Sequence, residues 1–143
     1  MLTYWDVIWP IWKDGFMEGE LSGKKVLLVD DDRDILAAME AALADLGPEI
    51  LTALDGDGAV KLAQSAQPDV VVLDMMLPKR SGFLVMENLK KGKKKSDPPR
   101  VIMITGNQGS RHKVYAESLG VDIYLNKPFR MEKLIEAVKK LLG

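Results

Sequence analysis

The chain has 143 residues, 47% of them apolar and 29% charged, enough for one domain with a substantial core and too few for two. Its formal net charge of -1 supplies no basic face of the kind nucleic acid requires. The absence of cysteine and the single histidine, His112, exclude a disulfide framework, a thiolate nucleophile or zinc site, and a multi-histidine metal cluster within one chain.

Residues 1–23 read as an aromatic-rich N-terminal extension holding Tyr4, Trp5, Trp9, Trp12 and Phe16, with all three tryptophans of the protein. No basic stretch precedes an apolar one, so no secretory leader is expected. The run from Leu2 to Trp12, broken by Asp6 and Pro10, is too short to span a bilayer. Trp5, Trp9 and Trp12 share one helical face if Pro10 is tolerated, a pattern suited to docking or dimerisation. Four acids against Lys13 give the segment a net charge of -3, which argues against an anionic membrane surface. The plainer alternatives are a start at Met17 or an appended segment.

From Lys24 onward, short apolar runs alternate with helical patterns five times. The runs, at 26–29, 50–54, 70–73, 101–104 and 123–125, are mostly continuous rather than alternating, which is how strands buried on both faces read. Ile35, Met39, Leu43 and Leu46 form the stripe of the first intervening helix, stopped by Gly47-Pro48. Helices follow over 58–66 and 82–91, and a weaker one over 110–119 carries only Val114, Ala116 and Leu119 as apolar anchors. Met131, Leu134, Ile135, Val138, Leu141 and Leu142 mark the last helix. This βα alternation predicts an α/β fold, a doubly wound five-stranded parallel sheet of flavodoxin-like (βα)5 type in strand order 2-1-3-4-5.

In such a sheet, ligands sit beyond the carboxyl ends of the strands. Those ends carry Asp30-Asp31-Asp32, Asp74, Thr105-Gly106 and Lys127-Pro128. Clustered carboxylates repel, and their ionised forms are tolerated only beside a cation. A rim of hard oxygen ligands suits Mg²⁺, which takes one or two carboxylates plus a phosphate oxygen. A carboxylate there can attack phosphorus and form an aspartyl phosphate. Lys127 offers mobile positive charge, Thr105 a hydroxyl, and Gly106 close access to the backbone.

Val-Asp-Asp at 29–31, Asp-Met-Met-Leu-Pro at 74–78, Thr-Gly at 105–106 and Lys-Pro-Phe at 127–129 resemble the motifs of response-regulator receiver domains of two-component signalling. The resemblance covers residues 24–142, making 24–143 a receiver domain after the extension. It implies Asp74 as phosphoacceptor, and a Mg²⁺ cofactor held by Asp30, Asp31, Asp74 and the Met76 backbone carbonyl. It further implies Lys127 as the phosphate-binding lysine, Thr105 as switch hydroxyl, Tyr124 as its rotating aromatic partner, and a cis Lys127–Pro128 bond. Gly106 stands where alanine is commoner; Met76 and Asn107 occupy positions at which the family varies its dephosphorylation rate.

The implied function is that of a cytoplasmic signalling phosphoacceptor rather than an enzyme. Phosphate would come from a sensor histidine kinase or a histidine phosphotransfer protein. Output would pass to a downstream protein through the fourth helix after strand 1, strand 5 and the last helix. A homodimer is compatible with this reading; direct contact with nucleic acid or membrane is not expected. With the last helix ending near Gly143, a stand-alone receiver is expected.

Plainer readings exist for each residue. Asp32 suits a helix N-cap, and three adjacent aspartates exceed what one cap needs. Asp74 alone could be a turn former, Lys127 an exposed lysine, Thr105 a back-bonded strand end and Tyr124 a half-buried strand residue. His112 reads as a solvent-facing residue opening its helix. The lysines at 90, 91, 93, 94 and 95 read as a solvated loop, lacking the interleaved aromatics of a nucleic-acid patch. Two other functions are weighed. One is a phosphate-independent binding module. The other is a haloacid-dehalogenase-like phosphatase using Asp30 and Asp32, disfavoured by Asp34 at its Thr/Val position. A flavin or dinucleotide carrier lacks its glycine-rich cradle.

Overall fold

Continuous apolar runs demand burial on both faces, and the computed structural model provides it. The structure describes residues 1–11, 19–106 and 110–143. Strands β1 (Lys25–Val29), β2 (Glu49–Ala53), β3 (Val70–Asp74), β4 (Arg100–Thr105) and β5 (Ile123–Asn126) form one sheet in the order β2-β1-β3-β4-β5. Every pairing is parallel. Helices α2 (Arg33–Ala44), α3 (Gly56–Ala66), α4 (Gly82–Lys90) and α5 (Ser110–Ser118) make the crossovers, α6 (Met131–Leu142) follows β5, and α1 (Tyr4–Ile11) precedes β1. The expected topology is the observed one.

Alternation along the strands divides the core between two faces. Leu27, Val29, Val71, Leu73, Val101 and Met103 point toward Val60, Val85, Met86 and Ala116 of α3, α4 and α5. Val26, Leu28, Val70, Val72, Ile102 and Ile104 point toward Leu36, Met39, Leu43, Leu134 and Val138 of α2 and α6. Each such side chain contributes about 1.5–3 kcal/mol relative to exposure. Leu21, within the segment assigned to the extension, is buried in the second cluster, and its amide donates to the Leu46 carbonyl at 2.8 Å.

Crossovers leave β1 and β3 toward opposite faces, opening a crevice between their carboxyl ends. Helices begin around it with side-chain caps. Asp32 caps α2 by accepting from the Asp34 and Ile35 amides at 2.9 and 3.3 Å. Asp55 caps α3 through the Gly58 amide at 2.8 Å, and Ser81 caps α4 through Leu84 at 3.4 Å.

Three expectations need correction. On α2, the stripe of Ile35, Met39, Leu43 and Leu46 does pack in the second cluster, but it omitted Leu36, which is more deeply buried than Ile35. Lys90 is not part of a solvated loop. It is only 8% exposed, and its ammonium donates to the Lys95 and Asp97 carbonyls at 2.9 and 2.6 Å. Its aliphatic stem lies beside Gly120, and burial pulls its pKa below the ordinary lysine value. His112 is half-buried rather than solvent-facing: its ring meets Phe83 of α4 edge-on at 6.2 Å. Pro10 lies inside α1, so the helix tolerates it; Trp12 lies outside the described residues.

Candidate functional site

Strand β1 stays apolar to Val29 and then turns polar, so Asp30 is the first residue to leave the sheet. It is 1% exposed. Asp74 closes β3 and is 4% exposed. Because β1 and β3 are hydrogen-bonded neighbours in register, their ends bring these carboxylates together. Asp30, Asp31 and Asp74 each offer an oxygen, all within 4.8 Å of one another. Asp31 is the exposed member.

Lys127 follows β5, with its amide donating to the Thr105 carbonyl at 2.7 Å. From that anchor its ammonium donates to Asp30 Oδ2 and Asp74 Oδ2, both at 3.0 Å. The remaining oxygens are held by the backbone: Asp30 Oδ1 accepts from the Asp32 amide at 2.9 Å, and Asp74 Oδ1 from the Met76 amide at 3.0 Å. Each buried carboxylate thus has both a fixed dipole and a charge partner, the condition under which buried charge is tolerated.

The electrostatics leave an excess of negative charge. Burial pushes the Asp30 carboxyl above its ordinary value, opposed by the Asp32 amide and the Lys127 hydrogen bond and reinforced by the Asp74 charge. For Lys127, burial acts downward, but the hydrogen bonds and charges of Asp74 and Asp30 outweigh it and hold the ammonium above the ordinary lysine value. A carboxyl raised in the fold contributes stability below its unfolded pKa and loses it as pH rises through the folded value. Asp30→Asn, which removes the buried charge while leaving Lys127 its contact with Asp74, is therefore expected to stabilise the metal-free protein at pH 7. Thermal melts should show the advantage shrinking toward pH 4; a variant less stable than wild type at pH 7 would contradict the charge-excess account.

Thr105, at the end of β4, is fully buried. Register pairs Met103 with Tyr124, and period-two alternation puts Thr105 on the same sheet face. Tyr124 is half-buried against the α3–α5 side of the core. Met76 follows Asp74 with its side chain 70% exposed at the rim. The Lys127–Pro128 peptide is cis. Gly106 has open space where a Cβ would stand; Asn107 lies outside the described residues.

One contributor was not singled out from sequence. A Cβ on Gly82 would stand 2.6 Å from the Asp74 carbonyl oxygen and 2.7 Å from Met75 Cα. Only glycine lets α4 start this close to the strand that carries Asp74. Gly82 also donates its amide to the Met75 carbonyl at 2.9 Å. The available signal was Ser-Gly at 81–82, a cap followed by a residue without a side chain.

The donor set fits a hard divalent cation such as Mg²⁺: carboxylate oxygens from three residues converge, none is sulfur or imidazole, and one lysine does not neutralise them. The fold and rim define a doubly wound α/β protein with an acidic, lysine-bridged crevice at the carboxyl edge of its sheet. The model of the response regulator receiver domain matches residues 26–139, and the chain belongs to that family, the receivers of two-component systems. It is 37% identical over 123 residues to the probable transcriptional regulator ycf27 of Cyanophora paradoxa, covering 86% of this chain and 50% of that protein. It is 36% identical over 119 residues to the alkaline phosphatase synthesis transcriptional regulatory protein PhoP of Bacillus subtilis, covering 83% and 48%. The chain thus spans about half the length of these curated relatives. Among solved structures, the Francisella response regulator 1452 receiver domain superposes with a TM-score of 0.76 at 30% identity, covering 84% of this chain and 97% of that one. The chemotaxis response regulator CheY4 of Vibrio cholerae gives 0.75 at 31%, covering 83% and 98%. Among the described residues, no helix is long and apolar enough to cross a membrane.

Proposed function

We propose that this receiver accepts a phosphoryl group on Asp74, from a histidine kinase or histidine phosphotransfer protein, and switches its partner binding in response. The observation that carries the reading is the bridge from Lys127 to two carboxylates, at 3.0 Å to each, beside a third carboxylate. Asp30, Asp31, Asp74 and the Met76 carbonyl would hold Mg²⁺, which when bound supplies charge stabilisation for the phosphoryl oxygens. Asp74 Oδ2 attacks phosphorus while the donor's P–N or P–O bond breaks and its electron pair leaves with the donor. Lys127 then exchanges its contact with Asp74 for a phosphoryl oxygen, and the Met76 amide keeps the other carboxylate oxygen in place. The chain is the acceptor in this reaction, with its own dephosphorylation the only turnover.

The switch would run through Thr105 and Tyr124. A phosphoryl group on Asp74 draws the Thr105 hydroxyl toward it, and Tyr124 follows on the shared face. The readout would be the surface of α5, β5 and α6, presented to a downstream protein.

Two measurements test the proposal. Wild type with Mg²⁺ and an acyl phosphate should gain one phosphoryl adduct by intact mass, and none with a chelator. Mg²⁺ at ten times its Kd should stabilise the fold by about 1.4 kcal/mol, a Tm rise of roughly 4 °C. The rise should vanish in Asp31→Asn. No adduct and no Mg²⁺ response would sink the proposal and favour a phosphate-independent binding module.

A further inference from the structure

The loop over 75–81 carries the Met76 carbonyl, and its middle lies on the first turn of α3. Its two ends are fixed at the rim: the Met76 amide donates to Asp74 Oδ1 at 3.0 Å, and the Gly82 amide to the Met75 carbonyl at 2.9 Å. Between them, the Gly56 and Arg80 amides converge on the Pro78 carbonyl at 3.3 and 2.7 Å. The Arg80 bond closes a γ-turn centred on Lys79, whose φ is 68°. A γ-turn of that sign is rare and strained, and it persists only where its surroundings enforce it.

Helix α3 supplies the enforcement. A Cβ on Gly56 would collide with the Arg80 carbonyl oxygen and stand 2.5 Å from Arg80 Cβ. Only glycine lets the loop backbone lie this flat on the helix. Gly56 is itself buried, and Ala59 and Val60 anchor the same turn in the α3–α5 side of the core. Two ion pairs flank the contact, Lys79 with Asp55 at 3.5 Å and Arg80 with Asp57 at 3.3 Å. Both are partly exposed, so each adds little by itself and serves to hold a geometry that Gly56 permits.

We propose that Gly56 and Arg80 are positioning residues for the metal site, clamping the loop over 75–81 to α3 and so fixing the peptide that carries the Met76 carbonyl. That peptide runs between two fixed points, the Asp74 carboxylate that holds the Met76 amide and the Pro78 carbonyl gripped by Gly56 and Arg80. The inference rests on the reading of the Met76 carbonyl as a Mg²⁺ ligand. It adds that α3, which contributes no ligand, sets the affinity.

The test is the Mg²⁺ affinity of the full chain by isothermal titration calorimetry at about 0.15 M salt, with thermal melts alongside. Gly56→Ala is expected to bind Mg²⁺ about tenfold more weakly than wild type. Gly58→Ala is the control, the same change on the same turn with its new Cβ no closer than 3.4 Å to a neighbour, and should stay within about twofold. Should Gly56→Ala fail to fold, variants of the partly exposed Arg80 carry the test. Removing a cation near the carboxylates tightens Mg²⁺ by charge alone. The clamp predicts the opposite, binding about two- to threefold weaker in Arg80→Gln, restored in Arg80→Lys, which keeps a charge to pair with Asp57. Equal affinities for Gly56→Ala and Gly58→Ala would overturn the proposal, as would an Arg80→Gln tighter than wild type. A wild type without measurable Mg²⁺ binding would overturn this inference together with the reading beneath it. A wild type that binds, with every variant unchanged, would overturn this inference alone.

Discussion

Asp74→Asn is expected to reduce phosphoryl uptake from an acyl phosphate to below detection while leaving the fold intact. The amide keeps the shape of the carboxylate, and its oxygen can still accept from the Met76 amide, which holds Asp74 Oδ1 at 3.0 Å in the wild type. It cannot supply the anionic oxygen that the proposed attack on phosphorus requires. Lys127 retains Asp30 as its partner, so no buried charge is stranded. The stability change should stay within about 1 kcal/mol. Intact mass after incubation with Mg²⁺, together with a thermal melt, separates lost chemistry from lost structure. Uptake at the wild-type rate by a folded Asp74→Asn would show that another group is the acceptor, with Asp30 and Asp31 the first places to map.

Gly82→Ala is expected to be the more damaging substitution for the fold, although it adds one methyl group. The new Cβ would meet the Asp74 carbonyl oxygen at 2.6 Å and Met75 Cα at 2.7 Å, both backbone atoms that no rotamer change can move. Either α4 slides away from the end of β3, uncovering Val85 and Met86, or the end of β3 shifts with Asp74 on it. Overpacking of this kind costs about 3 kcal/mol, or roughly 10 °C in Tm. Phosphoryl uptake should fall as well, since the carboxylate proposed as acceptor would be displaced from Lys127. Gly106→Ala is the control: nothing lies within 4 Å of its Cβ, so its melt should match wild type within about 2 °C. Equal melts for Gly82→Ala and Gly106→Ala would refute the close-approach argument.

Much of the rim was legible before any coordinates. Val29 to Asp30 and Leu73 to Asp74 are abrupt changes from apolar to charged, and a strand buried on both faces must end where such a change occurs. That placed Asp30, Asp31 and Asp74 at strand ends, and the end of the apolar run at 123–125 placed Lys127 just beyond another. Asp32 was separable from its neighbours because an N-cap needs one short acceptor immediately before the helix. The less legible residues depend on contacts across the fold. Lys90 looked like the first of a run of solvated lysines, and its burial follows from a loop that returns two carbonyls to its ammonium. His112 sits in a helix too polar to show which side faces inward, and only the placement of Phe83 decides it.

By itself the sequence determined the number, order and type of elements and the residue types at each strand end. Those follow from hydrophobic periodicity and short-range turn and cap chemistry, which act within a few residues along the chain; the doubly wound strand order was expected from crossover handedness together with the family resemblance. Only the tertiary structure decided that one lysine bridges two carboxylates from different strands, that α4 needs a glycine against Asp74, and that Lys90 is buried. Those are distances between atoms remote in sequence, set by sheet register and helix packing, and no local pattern encodes a distance of that kind.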